Sequence, residues 1–432
     1  MQINLVKDTK RKYISQGGIY LIRRIFQQNH LDKFFVECFP CRGKQSFYSD
    51  SDLVLGLCYS IYAGGTFFED INRLRNQINV PGYIKLPSSD SIKYRIEQLA
   101  ESSQEIINKK QVSHKFNINN TLNSVLAKLT VRLNPDFKRH RQILDYDNTI
   151  INTLKGDSRL CYKQGYGYQP GVIFIGREPV YIEGRNGNSP STYLMDQTLK
   201  RGINLLKAEG IKIGAIRIDG AAYQQNVFDM MHQYQGIRYY IRGKNALCIW
   251  QAINASKPAE KIIVGEKEAE CLDNEWYTPG DIDPQRECRV IVYRYEEDNQ
   301  QLDLFEGKYR YYVIYTNDWT LSAGDIINLY NQRGRAEQNF DRLKNDFNWA
   351  HPPFDNLAMN TAYLIFTAMG CQLYHYLLKI ISKVFHELDP ETRIKRFIFL
   401  FVNVVAKWTY RGRRYILNLY SDKAYDKLLS GP

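Results

Sequence analysis

The chain lacks what would mark it as exported, disulfide-stapled or repetitive. Its opening residues, MQINLVKDTKRKYISQGG, are polar where a secretory signal needs an apolar core, so export is not expected. Only 8 cysteines are spread over 432 residues, too sparse for a disulfide framework and better suited to a reducing compartment. Cys38 and Cys41 form one C-x2-C, with Cys58 farther on, but no second pair or histidine completes a tetrahedral zinc site, so these read as ordinary thiols. No apolar run is both long and unbroken. The most apolar stretch, residues 361–381, is interrupted by Gln372, His375 and Lys379, and reads as a buried helix of a large soluble protein rather than a membrane span. No internal repeat or low-complexity tract occurs.

What is present describes a globular protein with a polyanionic partner. Hydrophobic residues make up 44% of the chain and aromatics 13%, enough for a sizeable core in two or three domains. Lys and Arg outnumber Asp and Glu by 58 to 46, a formal charge of +12, and 32 tyrosines supply rings and phenols able to stack on bases or bond to phosphate.

Five regions are legible. Residues 1–135 read as helical, a DNA-binding or dimerisation domain; Ser88, Ser89 and Asp90 are all plausible caps before IKYRIEQLA, which resembles the start of a recognition helix. Residues 136–244 turn to strands: QILDYDNTI, then a hairpin through Gly176, a helix between Pro190 and Gly210, the strand IKIGAIRID, the helix QQNVFDMMHQY and the strand IRYYIRG. That order is the order of a mixed α/β sheet. Residues 245–309 read as a β-rich insertion with polar loops, 310–350 as a return to the sheet followed by a helix, and 351–432 as a helical tail.

Four residues in YNQRGRAEQNFDRLKNDF are spaced to share one helix face: Tyr330, Arg333, Glu337 and Lys344, at offsets of 3, 4 and 7. Intrahelical pairs such as Arg333 with Glu337 are also common on solvated faces. Two aspartates stand at strand ends upstream. Asp219 closes IRID, with Gly220 free to turn beside it, and Asp147 closes LDYD, where Asp145 shares the same face and periodicity does not separate the two. Asp147, Asp219 and Glu337 together could hold two Mg²⁺ ions, which take oxygen ligands and support in-line attack at phosphorus. Arg333 and Lys344 would then face flanking phosphates and Tyr330 would donate to one.

With these residues the chain resembles the DDE transposases of bacterial cut-and-paste insertion sequences, in the branch whose ribonuclease-H-like catalytic domain is interrupted by a β-rich insertion. Asp147-Asn148-Thr149 matches the family's Asp-x-Thr, Asp219 its second aspartate, and Tyr330, Arg333, Glu337 and Lys344 its Tyr-Arg-Glu-Lys signature. Gly-Ala-Ala-Tyr after Asp219 departs from the Ser-Gly pair of many relatives, Tyr223 keeping an aromatic nearby. The resemblance implies catalysis by Asp147, Asp219 and Glu337 with Mg²⁺, for which Mn²⁺ would substitute. It also implies binding of terminal inverted repeats and target DNA by a homodimer at the nucleoid in the cytoplasm, end cleavage, and 3′-hydroxyl strand transfer. Trp319 is placed to stack on a flipped base or to pack at the rim. Arg411, Arg413 and Arg414, in a basic tail with Arg393, Lys395 and Arg396, are candidate phosphate contacts or a solvated face. Alternatives are an inactive transposase-derived DNA-binding protein, a nuclease of the same fold and, remotely, a glycosidase.

Overall fold

The structure, a computed structural model, describes residues 13–42, 46–78, 83–108, 110–163, 165–274, 288–296 and 309–428. The chain divides into two compact units, residues 1–100 with 341–355 and 362–432, and residues 101–340 with 356–361.

In the first unit the N-terminal helices are α1 (Gly18–Gln28), α2 (Leu31–Cys38), α3 (Asp50–Tyr62), α4 (Asp70–Ile78) and α5 (Ser89–Leu99). α3 starts in a capping box: the Ser49 hydroxyl accepts the Asp52 N–H at 3.1 Å and the Asp52 carboxylate accepts the Ser49 N–H at 2.9 Å. Of the three cap candidates before α5, Ser88 takes the position, accepting the Ser91 N–H at 3.3 Å.

The second unit is built on one large sheet. Its strands are β1 (Gln104–Ile107), β2 (Ser113–Asn117), β3 (Gln142–Asn148), β7 (Gly171–Ile175), β8 (Glu178–Arg185), β9 (Ile213–Ile218), β10 (Arg238–Arg242), β11 (Glu260–Val264), β12 (Lys267–Asn274), β13 (Arg289–Glu296) and β14 (Tyr309–Thr316); β4 (Ile151–Asn152), β5 (Arg159–Leu160) and β6 (Tyr166–Tyr168) form a small separate sheet. The order across the large sheet is β1-β2-β8-β7-β3-β9-β10-β14-β13-β12-β11. β3, β9 and β10 run parallel, and every other pair is antiparallel. Helices α6 (Asn120–Leu133), α7 (Met195–Ala208), α8 (Gln225–His232), α9 (Ala246–Asn254) and α10 (Ala323–Asn331) belong to this unit, and α11 (Arg335–Asp346) crosses the boundary between units after Phe340.

The mixed α/β order expected from sequence is present, as is the β7–β8 hairpin, where Gly176 adopts φ 59°. Three expectations are revised. Residues 101–135 lie in the unit of the sheet, because β2 pairs with β8 and Asn123 bonds both ways to the Ile182 backbone, at 2.8 and 2.9 Å. α7 begins at Met195 and not near Pro190, because Arg185 draws the Tyr193 carbonyl to 2.7 Å and Leu194 turns left-handed at φ 52°. The insertion does not stand apart: β11, β12 and β13 continue the main sheet outward from β14, while the polar segments 275–287 and 297–308 lie outside the described residues.

Period-two alternation splits the sheet into two faces. Leu144, Tyr146, Ile216, Ile218, Tyr239 and Ile241 pack with Leu199 and Ile203 of α7 and Val227 and Phe228 of α8. The opposite face carries Ala215, Tyr240, Ile291, Tyr293 and Ile314 against Ile326, Ile327 and Tyr330 at α10. Each fully buried isoleucine contributes about 1.5–3 kcal/mol of transfer free energy, so these two layers hold the strand ends in place.

The tail contains α12 (Leu357–Ile381) and α13 (Ile394–Phe397). α12 is long and apolar enough to span a membrane, but 83% of its most apolar window is buried within the protein, as a core helix would be. The tail is not helical throughout. β15 (Val405–Arg411) and β16 (Arg414–Tyr420) form an antiparallel hairpin, closed at Gly412 and Arg413 with φ 59° and 62°. Alternating aromatic and β-branched residues around a two-residue turn of positive φ account for it.

Candidate active site

Register puts the functional side chains in two rows across the three parallel strands. Asp145 of β3 lies opposite Arg217 of β9, which lies opposite Tyr240 of β10. Two residues along, on the same face, stand Asp147, Asp219 and Arg242, at the carboxyl ends of those strands.

The first row is closed. Arg217 donates through Nε and Nη2 to the two Asp145 oxygens at 2.7 and 2.6 Å, and through Nη1 to the Leu329 carbonyl at 2.6 Å. Both side chains are buried. Burial pushes the Asp145 carboxyl up, against the pull of the Arg217 hydrogen bonds and charge. Of the two aspartates that sequence left unseparated, Asp145 is therefore committed to a buried bidentate pair.

The second row is open. Asp147 Oδ2 lies 3.0 Å from Arg333 Nη2, and Oδ1 accepts the Asn148 N–H at 2.8 Å. Burial raises the Asp147 carboxyl above the usual range, Arg333 draws it back, and the Asp219 charge raises it again. Burial opposes the Arg333 charge, but Asp147, Tyr330 and Asp219 outweigh it and hold the guanidinium protonated. Arg333 also reaches the Tyr146 carbonyl at 3.3 Å, and its buried Nε has no hydrogen-bond partner among the described residues.

Asp219 Oδ1 accepts the Ala221 N–H at 3.1 Å and caps a single 3₁₀ turn, Gly220–Ala222. The side chain makes this turn, and Gly220 needs no positive φ for it. Tyr330 is buried and donates its hydroxyl to the Ile218 carbonyl at 3.3 Å, with burial pushing the phenol up to about 12. The phenol thus bonds to the strand immediately before Asp219.

The Tyr-Arg-Glu-Lys residues do not lie on one uninterrupted α-helix. Tyr330 is on α10, Arg333 is in a 3₁₀ turn (Gln332–Gly334), and Glu337 and Lys344 are on α11. A 3₁₀ turn advances about 120° per residue, against about 100° in an α-helix, which separates the four in azimuth. Tyr330 is buried, Arg333 half-buried and Glu337 exposed, while half-buried Lys344 belongs to the first unit. The first turns of α11 dock on the β7–β8 hairpin through Asn339 Nδ2 to the Gly176 carbonyl at 2.9 Å and Phe340 edge-on to Phe174 at 5.2 Å. Asp147, Asp219, Tyr330 and Arg333 are brought together. Glu337 is not in a cluster with the aspartates: among the described residues no three His, Cys, Asp or Glu side chains gather as a metal-holding group.

Asp147 and Asp219 nevertheless fit a hard divalent cation. They are oxygen donors on neighbouring strand ends, and the Asp219 charge raises the cost of ionising Asp147, which a cation between them would relieve.

Trp319 is 51% exposed in the loop after β14. Buried Asp318 pins that loop, accepting from Arg238, from the Tyr240 hydroxyl at 2.7 Å and from the Thr320 N–H at 2.9 Å. Arg411, Arg413 and Arg414 are exposed around the β15–β16 turn in the first unit. Sequence reading missed Arg217, Asp318 and Arg242; an arginine inside the apolar strand IRID was the one available signal, since a buried cation requires a buried partner.

No curated protein matches the chain. Among solved structures it is similar to a piggyBac transposase in a synaptic complex with hairpin DNA, at 12% identity and a TM-score of 0.41, over 89% of this chain and 80% of that one. A family model for the transposase DDE domain, group 1, matches residues 5–431. Spanning almost all of the sequence, that match shows that the protein belongs to the group 1 DDE transposase family.

Proposed function

We propose that this family member is an active DNA transposase that hydrolyses phosphodiester bonds at the ends of its element and joins the freed 3′-hydroxyls to target DNA. The observation that carries the reading is the pair of Asp147 and Asp219 at neighbouring parallel strand ends, with Arg333 beside Asp147. The strand order β8-β7-β3-β9-β10, with its three parallel members, supports a ribonuclease-H-like core. An origin in a bacterial insertion sequence fits the same signature.

Asp147, Asp219 and Glu337 are the residues to hold two Mg²⁺ ions, or Mn²⁺ in their place. Bound there, the cations would lower the pKa of water or a 3′-hydroxyl and stabilise charge on the leaving oxygen. Arg333 balances the Asp147 charge in the free protein and supplies a fork of donors for a flanking phosphate. Tyr330 supports the end of β9, Lys344 contacts phosphate farther along the DNA, and Trp319 stacks on an unpaired base. Arg411, Arg413 and Arg414 bind backbone phosphates. Two element ends call for a homodimer.

A second reading, a DNA-binding protein that no longer cleaves, is favoured by the exposed Glu337 standing outside the aspartate pair. The test is Mg²⁺-dependent cleavage and strand transfer on labelled duplex taken from the DNA flanking the gene, comparing the native chain with Asp219→Asn and Glu337→Gln. Cleavage and joining, both lost in variants that still bind, is the expected result. Specific binding without native cleavage would establish the second reading.

A further inference from the structure

We propose that Arg242 is a phosphate-binding residue of the site, its guanidinium receiving the non-bridging oxygens of the DNA phosphate nearest the Asp147–Asp219 pair. The inference rests on the transposase reading and adds to it a residue outside the family signature.

Register supplies the position. Arg217 pairs with Tyr240 and Ile218 with Ile241, so Arg242 is the next position on β10 beside Asp219, on the face that carries both aspartates. The Arg242 carbonyl would lie 3.7 Å from a Cβ built on Gly220, which places the two strand ends side by side.

Charge supplies the role. Three other arginines on this side of the sheet are matched by carboxylates: Arg217 by Asp145, Arg333 by Asp147 and Arg238 by Asp318. Arg242 forms no ion pair and no side-chain hydrogen bond among the described residues; its guanidinium lies over the Tyr312 ring, 4.3 Å from the centroid. A ring satisfies the face of the guanidinium and leaves the in-plane N–H donors unused. What those donors lack is a planar or tetrahedral oxyanion, which a guanidinium fork grips in two-point fashion.

The support is ordered beforehand. Tyr312 is stacked on Tyr293 and on Tyr295, each at 5.2 Å, and the Tyr295 hydroxyl donates to that of Tyr312 at 2.7 Å. The Arg242 charge also reaches Tyr330, so the cation and the residue supporting the Asp219 strand share one wall.

The experiment measures binding of the full-length protein to a fluorescein-labelled duplex of the gene's flanking DNA across a salt series, with single phosphates replaced one at a time by neutral methylphosphonates. Arg242→Gln should reduce the salt slope by about 0.9, the share of one phosphate. One methylphosphonate should weaken the native chain about tenfold and leave Arg242→Gln unaffected. Should the glutamine variant not fold, Arg242→Lys should keep the slope and blunt the loss at that same phosphate. A slope and a phosphate profile equal to the native ones, in whichever variant folds, would overturn the inference while leaving the transposase reading intact. A native chain that binds no DNA would overturn both.

Discussion

Arg217 grips both oxygens of Asp145 across two parallel strands, at 2.7 and 2.6 Å, and so separates two aspartates that share one strand face. Asp145 is held in the core; Asp147 is left at the strand end beside Arg333. Asp145→Asn should therefore act on stability, because it leaves a buried guanidinium unpaired, at a cost of about 3–5 kcal/mol. Urea unfolding of the native chain and the variant checks this, and an unchanged midpoint would refute the structural role.

How much of this was legible in the sequence follows from the range of the interactions. Strand periodicity, the glycine at the β7–β8 turn and the strand-end position of Asp219 are local signals, and each appears where local chemistry puts it. The choice between Asp145 and Asp147 is not local: it is made by a partner 72 residues away on a strand whose register depends on the whole sheet. The 3₁₀ turn at Gln332–Gly334 is marked in the sequence only by Gly334, which a helix interior tolerates at modest cost, so helical spacing alone runs straight through it. In the tail, a cluster of arginines overlies the alternation in VAKWTYR and RYILNLY that makes a hairpin.

Glu183 provides a pH test of the second unit. It is fully buried on β8, with Arg201 donating at 2.7 and 3.0 Å and Thr198 at 2.6 Å. Burial raises its carboxyl, but the Arg201 bonds and charge, with Arg185 and Thr198, outweigh burial and bring it below the ordinary value. A carboxyl lowered in the folded state contributes stability that is present above its unfolded value and lost as pH falls through the folded value. Glu183→Gln should destabilise the protein at neutral pH by about 3 kcal/mol and flatten the acid limb of a plot of melting temperature against pH.

Arg333 counters the effect of burial on Asp147. Burial raises that carboxyl and the Arg333 charge opposes the rise, so Arg333→Gln should move it higher still. Since a cation needs the ionised form, the pH midpoint of Mn²⁺ binding, followed by electron paramagnetic resonance, should shift upward in the variant. A midpoint that stays put or falls would contradict the coupling.

The β15–β16 turn should bind DNA through charge alone. Arg411, Arg413 and Arg414 are exposed, so replacing all three with alanine should leave the melting temperature unchanged. The salt slope of DNA affinity should fall by about 0.9 for each phosphate the variant no longer neutralises. An unchanged slope would mark the hairpin as a solvated face.

If Asp147 and Asp219, and not Asp145, form the cation site, removing either carboxylate should abolish metal binding. Mn²⁺ binding is read by electron paramagnetic resonance in the native protein and in Asp147→Asn and Asp219→Asn, each with the flanking-DNA duplex present and each confirmed folded. Bound Mn²⁺ in the native protein and its loss in both variants is the expected outcome. Native-strength binding in either variant would refute the assignment.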